Sequence, residues 1–220
     1  MNSTKDFSIR SAKGGYDDNF SYLITCLQTG FQCIIDPALP YDTFKPFIRN
    51  GLSAIFITHT HGDHISFLNE YLQMCPKTIV IAHHLGQQIV TSNQTHFVHG
   101  NENIKMGQLT FKIIFTPGHY PDSICLQLEN VLFTGDTLFV GRTGRVISAG
   151  SNIQDLFQSV YQHILTLPPD TLIYPGHDYG NQPTITLEEN ILISPLLQAD
   201  NETDFINRMN HYEKNRISKS

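Results

Sequence analysis

The stretch that decides the fold of this chain lies at residues 58–64 and reads Thr58-His59-Thr60-His61-Gly62-Asp63-His64. Residues 54–57 before it are apolar, as in a short buried strand, whereas residues 64–72 have the apolar spacing of a helix. In extended chain, His59 and His61 project to one side, while Asp63 and His64 turn into the helix and can face a second centre. The stretch therefore predicts a metal-binding loop at a strand-to-helix junction that could serve two metal ions.

The length and the charge of the chain limit what kind of protein can carry this loop. The chain has 220 residues, and the 40% that are hydrophobic can build the core of one α/β unit. We expect one domain over residues 1–220, with short C-terminal helices in residues 180–220. The formal charge of -6 provides no general basic field, so we expect no nucleic-acid partner.

The N-terminus and the cysteines favour a cytoplasmic location. Residues 1–6 lack the basic-then-apolar pattern of a secretory signal, and no apolar run approaches the roughly 18 residues needed to span a bilayer. We therefore expect no membrane partner. The cysteines have no C-x-x-C spacing and lie mostly in apolar runs, which predicts buried thiols in a reducing compartment. They are Cys26, Cys33, Cys75 and Cys125.

Hydrophobic periodicity and turn residues predict the remaining elements. The first third favours antiparallel strands and then a β–α–β alternation, and the rest alternates strands with helices. The predicted strands are 20–25, 32–36, 54–57, 78–82, 97–98, 109–116, the hairpin 123–134, and 171–174. The predicted helices are 43–50, 64–72, 83–90, 152–167, 186–197 and 201–212, and residues 140–150 form a glycine-rich loop.

Polar residues follow several of these predicted strands. His119 follows the strand at 109–116, Asp136 follows the hairpin, and His177 follows the strand at 171–174. Because α/β folds assemble sites from such loop ends, we expect these side chains to join the loop at 58–64. The candidate metal ligands are His59, His61, Asp63, His64, His119, Asp136 and His177. Imidazole suits zinc or iron, and a carboxylate can bridge two cations.

Four motifs in this order resemble the metallo-β-lactamase superfamily. They are T-H-x-H-x-D-H at 58–64, P-G-H at 117–119, G-D-T-L-F at 135–139 and P-G-H-D-Y at 175–179. The match runs from about residue 20 to residue 177 and covers most of the chain. Within the superfamily the chain looks most like the glyoxalase II (hydroxyacylglutathione hydrolase) group and its persulfide dioxygenase relatives, through D-N-F-S-Y-L-I at 18–24 and the G-D-T-L-F segment.

This resemblance implies an α+β fold, an αββα sandwich with the metal site at one edge of its two sheets. It implies one site at His59, His61 and His119 and a second site at Asp63, His64 and His177. Asp136 would bridge the two sites, and Asp63 could also shuttle a proton. The implied cofactors are two divalent metal ions, zinc in preference to iron or manganese, which generate a hydroxide nucleophile near neutral pH. The implied activity is thioester hydrolysis, with a small-molecule thioester or a glutathione-type thiol conjugate as substrate.

Three further residues are candidate substrate contacts. The G-C-G-R segment of glyoxalase II corresponds here to residues 142–145, so its cysteine is absent while Arg145 keeps the basic position. Tyr179 stands where that family has a glutathione-contacting tyrosine. Arg142 and Arg145 can hold a substrate carboxylate by bidentate contacts. The glyoxalase II family also carries a glutathione-binding helical domain, whereas 43 residues follow His177 here.

Two alternatives to the hydrolase stay open. The persulfide dioxygenases are similarly compact, share the H-D-Y segment and use one iron held by two histidines and one aspartate of this constellation. Against them, residues 146–148 read V-I-S where those enzymes have T-D-F. A non-enzymatic metal-binding module is the third hypothesis, which is disfavoured because a structural site needs only four ligands. We prefer the hydrolase.

Overall fold

The first six strands form one sheet, and each is hydrogen-bonded to the next along the chain. The computed structural model describes residues 6–217. The sheet contains β1 Phe7–Gly14, β2 Asn19–Cys26, β3 Gln32–Ile35, β4 Ala54–Phe56, β5 Ile79–His83 and β6 Thr95–Val98, in that order. Strands β1 to β3 are antiparallel, as the sequence predicted, and β3 to β6 are parallel.

The second sheet also has six strands, and a two-stranded ribbon extends from it. The strands that follow β6 are β7 Asn103–Met106, β8 Leu109–Phe115, β9 Ile124–Leu128, β10 Val131–Gly135, β11 Leu138–Phe139, β12 Arg142–Thr143, β13 Leu172–Pro175 and β14 Ile185–Thr186. The sheet order is β14-β13-β10-β9-β8-β7, and β11 pairs with β12. The parallel pair β10 and β13 brings two strand ends side by side.

Helices cover the outer face of each sheet. They are α1 Tyr41–Phe44, α2 Leu68–Met74, α3 Ile153–Gln158, α4 Leu187–Ile193 and α5 Glu202–Ile217. Along β4, Phe56 packs between the sheets, whereas Ile55 packs on the outer face with Tyr71 of α2. On the second sheet, Phe133 faces the inner layer and Leu132 contacts the helical layer. Since both faces of these strands are covered, their sequences are continuously apolar. This arrangement confirms the αββα sandwich.

The helix after the metal-binding loop begins later than predicted. The periodicity predicted a helix over residues 64–72, but α2 begins at Leu68 and residues 62–67 form turns. The imidazole of His64 is buried and bonds to Asp36, and the backbone amide of Phe67 donates to the Pro37 carbonyl at 2.9 Å. These non-local contacts hold the segment away from helical geometry.

Other boundaries also differ from the periodicity. The predicted helix at 43–50 is replaced by α1 and a 3-10 turn, Lys45–Phe47, which contains Pro46. The predicted helix at 83–90 contains only the 3-10 turn His84–Gly86, and His83 belongs to β5. The predicted helix at 186–197 ends at Ile193 and resumes as a 3-10 turn. The predicted helix at 152–167 is present as α3 followed by a π-helical segment, Ser159–Ile164. Strands β1, β7, β11, β12 and β14 were missed.

The four cysteines are buried free thiols, as predicted. Within residues 6–217, no helix has both the length and the apolar character required to cross a bilayer.

Truncation of Phe111 is expected to destabilise the sandwich. Its ring is fully buried between the sheets and lies 4.7 Å, centroid to centroid, from the ring of Phe56 in β4. Phe111→Ala should lower the free energy of unfolding by about 3–5 kcal/mol through lost burial and a residual cavity. Denaturant unfolding measures this loss. Phe31, which is 46% exposed, provides the matched control, and similar losses for Phe31→Ala and Phe111→Ala would contradict the assignment of the core.

Candidate metal centre

The structure brings all seven candidate ligands together at one edge of the two sheets. The loop after β4 carries four of them, and the other three follow β8, β10 and β13. These residues form two groups, and within each group the ligand atoms all lie within 4.8 Å of one another. The first group is His59, His61, His119 and Asp136, and the second group is Asp63, His64 and His177. Strands from both sheets therefore contribute to one polar cluster.

The three imidazoles of the first group converge through one nitrogen each. The Nδ1 atom of His61 lies 3.0 Å from the Nε2 atom of His59 and 3.0 Å from the Nε2 atom of His119. Nitrogen ligands about 2.05 Å from a tetrahedral zinc ion would be about 3.3 Å apart. The observed spacing is therefore close to that of a metal-coordinating set.

The second group converges in the same way on an aspartate oxygen. The Oδ2 atom of Asp63 lies 3.3 Å from Nε2 of His177 and 3.7 Å from Nε2 of His64. The Asp63 side chain is 21% exposed, whereas the side chains of His64 and His177 are almost fully buried. Solvent therefore reaches this group from the side of Asp63.

The carboxylate of Asp136 contacts both groups. Its Oδ1 atom lies 3.1 Å from Nε2 of His64. Its Oδ2 atom lies 3.4 Å from Nε2 of His119 and 3.5 Å from Nε2 of His177. One buried carboxylate thus reaches imidazoles of the first and second groups, which is the placement that a ligand shared by two cations requires.

Two buried polar atoms at the junction of the groups have no hydrogen-bond partner among the described residues. They are Nε2 of His64 and Oδ1 of Asp136, whose 3.1 Å contact lacks hydrogen-bond geometry. Leaving a buried polar atom unsatisfied costs about 1–3 kcal/mol. Because both atoms are ligand atoms of the kinds that zinc and iron prefer, the donor set fits bound metal ions.

Hydrogen bonds at the opposite ring nitrogen orient three of the imidazoles. Nδ1 of His64 donates to the carboxylate of Asp36 at 2.8 Å. Nδ1 of His119 donates to the Arg145 carbonyl at 2.8 Å, and Nδ1 of His177 donates to the Asp17 carbonyl at 2.7 Å. Each bond fixes the orientation of its ring, so that Nε2 faces the cluster.

The electrostatics of the cluster favour a cation. Burial, reinforced by His119, lowers the pKa of His61 to about 4, so this imidazole is neutral at pH 7. Burial alone would also lower the pKa of His177, but the carboxylates of Asp136 and Asp63 outweigh it and raise the pKa to about 9. Burial would raise the pKa of Asp136, yet the surrounding imidazoles hold it well below its ordinary value. The ionised carboxylates therefore favour positive charge at this centre, which a proton on His177 or a bound metal ion can supply.

Two supporting residues escaped the sequence prediction. The Asp36 carboxylate accepts hydrogen bonds from the Thr58 backbone amide at 2.8 Å and from the Thr58 hydroxyl at 2.7 Å, in addition to His64. The Asn19 amide donates to Asp63 Oδ2 at 3.2 Å and lies 3.3 Å from His177 Nε2. Asp36 lies at the end of a predicted strand. His119 and Asp136 were selected because they follow predicted strands, and the same criterion would have selected Asp36.

Glycines in the P-G-H motifs permit close approach of the backbone. A Cβ on Gly176 would lie 2.4 Å from Oδ1 of Asp136. Gly118 has a φ of +136°, and a Cβ there would lie 2.3 Å from the backbone of Leu156 in α3. Both glycines precede a candidate ligand, so a side chain at either position would displace that histidine.

The three predicted substrate contacts lie beside the cluster, and each has a partner within the chain. The ring of Tyr179 stacks on His177 at 4.8 Å, and its hydroxyl donates to the Asp17 carboxylate. The Arg142 guanidinium lies 3.8 Å above the Tyr179 ring. The Arg145 guanidinium pairs with Glu213 of α5.

Known proteins share this sequence pattern and this fold. The family described as "Metallo-beta-lactamase superfamily" matches residues 14–177. The chain is 35% identical over 166 residues to "Hydroxyacylglutathione hydrolase" of Francisella philomiragia. That alignment covers 73% of this chain but only 63% of the relative, less than two thirds of its length.

Two other similar proteins match over nearly their whole length. The "Probable polyketide biosynthesis zinc-dependent hydrolase BaeB" of Bacillus velezensis is 26% identical, and the alignment covers 87% of each chain. The crystal structure of ETHE1 from Myxococcus xanthus superimposes with a TM-score of 0.82 at 29% identity, over 92% of this chain and 90% of that one.

Substitution of Asp36 is expected to weaken metal binding at the second group. In Asp36→Asn, the amide cannot accept from both Thr58 and His64, so the imidazole loses its orientation. Loss of such an orienting partner lowers metal affinity about 10–100-fold. Competition of the zinc-loaded protein with a chromophoric chelator measures this change. Asp42, whose side chain is 79% exposed on α1, is the control position, and equal affinities of Asp36→Asn and Asp42→Asn would contradict this role.

Proposed function

This chain belongs to the metallo-beta-lactamase superfamily, as its four motifs predicted, and we propose that it is a metal-dependent hydrolase that cleaves a small-molecule thioester with two divalent metal ions. The contact of the Asp136 carboxylate with both ligand groups carries this proposal. A mononuclear centre would need this carboxylate to reach only one ligand group, whereas Asp136 contacts both. Zinc is the preferred metal because the donor set is imidazole and carboxylate, with iron and manganese as alternatives.

The proposed ligand assignment follows the two groups. His59, His61 and His119 would hold one ion, and Asp63, His64 and His177 would hold the other. Asp136 would bridge the two ions. When bound, the ions supply a hydroxide nucleophile near neutral pH and polarise the thioester carbonyl. The overall reaction adds water to the thioester and releases a carboxylic acid and a thiol.

The chain's own residues would position the reactants and transfer protons. Asp63 is more exposed than Asp136, with side-chain exposures of 21% and 9%, and is the better placed of the two carboxylates to exchange a proton with solvent. Asn19 would hold Asp63 in this orientation through the hydrogen bond to its Oδ2 atom. Tyr179, Arg142 and Arg145 lie beside the centre and are the proposed substrate contacts.

The proposed substrate class is a thioester of a glutathione-type thiol. The name of the Francisella philomiragia relative supports this class, at 35% identity. The proposed alternative is a mononuclear iron persulfide dioxygenase. The near-complete superposition on ETHE1 from Myxococcus xanthus favours it, because the two chains have similar extents. The proposed location remains the cytoplasm.

Removal of the proposed bridge should reduce metal content and turnover together. Asp136→Ala deletes the only carboxylate that contacts both groups within residues 6–217, so we expect about one metal ion fewer per chain and a loss of kcat of at least about 100-fold. Metal analysis and a thiol-release assay are the measurements. Asp170→Ala, on an exposed loop, is the control. Full activity of Asp136→Ala with unchanged metal content would reject the bridge.

The metal stoichiometry of the purified protein should separate the two activities. We expect two metal ions per chain and release of thiol from S-lactoylglutathione. The assay is run beside oxygen uptake with glutathione persulfide. One iron per chain, together with oxygen uptake and no thioester cleavage, would reject the hydrolase in favour of the dioxygenase.

A further inference from the structure

The C-terminal part of helix α5 lies against the two arginines that flank the metal centre. The Arg145 guanidinium donates to Glu213 through Nε at 3.0 Å and through Nη2 at 2.6 Å, both to Oε2. Nε also donates to Oε1 of Glu213 at 3.1 Å. Arg142 donates from Nη1 to the Tyr212 hydroxyl at 3.0 Å. Glu213 is thus bound to Arg145 in the way that a substrate carboxylate would be.

The position of Glu213 is fixed by the core contacts of α5. Phe205 and Met209 on this helix are buried in the helical layer. Residues 205, 209, 212 and 213 have the spacing i, i+4, i+7 and i+8, so they share one face of the helix. The same face that packs on the core therefore presents Tyr212 and Glu213 to the arginines. The Glu213 side chain is 15% exposed, and that of Arg145 is 34% exposed.

Arg145 and Arg142 are connected to the first and the second ligand group, respectively. The backbone carbonyl of Arg145 accepts the hydrogen bond from His119, a candidate ligand of the first group. Arg142 packs on Tyr179, and Tyr179 stacks on His177 of the second group. Glu213 therefore lies at the rim of the centre, beside the proposed substrate contacts.

The acidic partner changes the charge that this rim offers to a ligand. Arg145 is neutralised by Glu213, and Lys13 is paired with Asp178 at 2.8 Å. Arg142, by contrast, has the uncharged Tyr212 hydroxyl as its partner and keeps its full charge. A ligand carboxylate that approached Arg145 would have to displace Glu213 or meet its negative charge, and like charges repel at this range.

We propose that Glu213 determines specificity on the thiol side of the substrate, by withholding Arg145 from carboxylates and so disfavouring thiol carriers that place a free carboxylate there. This inference rests on the proposed thioesterase function. Glu213 acts through Arg145 and is a positioning residue. The favoured thioester would place a neutral part of its thiol carrier at Arg145, so a free carboxylate of a glutathione thioester would gain no affinity from this arginine.

A pair of inert thioethers tests the inference without relying on turnover. S-hexylglutathione and its diethyl ester differ only in whether the carboxylates are free. Calorimetry gives the ratio of their dissociation constants for the wild-type protein and for Glu213→Ala. We expect the free acid to gain at least about tenfold in affinity, relative to the ester, in Glu213→Ala, because Arg145 becomes available. Arg145→Ala in the Glu213→Ala background should abolish this gain.

A control variant and a kinetic measurement distinguish a change in ligand specificity from a general loosening of α5 in Glu213→Ala. Asp204→Ala removes an ion pair of the same kind, to Arg208 at 2.9 Å, from the other end of α5 and should leave the ratio unchanged. With S-acetylglutathione, Glu213→Ala should lower KM while kcat changes by less than about twofold. A general perturbation would instead change kcat for the free acid and the ester alike.

The outcomes distinguish this inference from the proposed function. An unchanged ratio in Glu213→Ala, or a gain that persists without Arg145, overturns the role of Glu213 whether or not the protein cleaves thioesters. Failure to bind either thioether overturns it as well. Absence of thioester cleavage by the metal-loaded wild-type protein rejects the hydrolase, and the binding ratios then still decide whether Glu213 controls access to Arg145.

Discussion

The buried carboxylate of Asp136 is the constraint on which the rest of the structure depends. An isolated buried carboxylate costs several kcal/mol, so it persists only among groups that compensate its charge. Here those groups are His64 from the first sheet's loops and His119 and His177 from the second sheet's loops. The two sheets must therefore meet closely at this edge. Backbone bonds join them there, from Phe20 to the Gly176 carbonyl and from Ile124 to the Thr58 carbonyl, each at 2.8 Å.

The His64 side chain contacts carboxylates that follow strands of both sheets. Its ring lies between two carboxylates, with Nδ1 bonded to Asp36 and Nε2 facing Asp136. Burial would lower its pKa, but these two negative charges raise it well above its ordinary value. The same ring position explains why α2 cannot begin at His64, since a helical backbone there would move the imidazole away from Asp36. Local helix propensity is weaker than this set of buried contacts.

The fold brings together the residues that the sequence indicated as candidate ligands, and the signal that indicated them is local. A polar residue just past an apolar run is visible in the chain, and parallel strand ends such as those of β10 and β13 must lie at the same edge. The supporting contacts join residues that are far apart in the chain, so even where a residue such as Asp36 follows a strand, the sequence does not show its partner. Asp36 is 28 residues from His64, and Glu213 is 68 residues from Arg145. The predicted helix boundaries were wrong for the same reason. The helix predicted from residue 64 begins at Leu68, because hydrogen bonds to distant residues override the local periodicity.

The candidate ligands and the rim of the site differ in how strongly the fold constrains them. The candidate ligands are held by strand ends and by glycines such as Gly176, where any side chain would collide with Asp136. The rim is held by side-chain pairs that are partly exposed, and a single exchange on α5 can alter them without disturbing the sheets. The ion pair of Glu213 and Arg145 is partly buried, and in its proposed role it controls which groups reach the arginine. Similarity at the metal loop therefore supports the proposed metal chemistry more directly than it supports the proposed substrate.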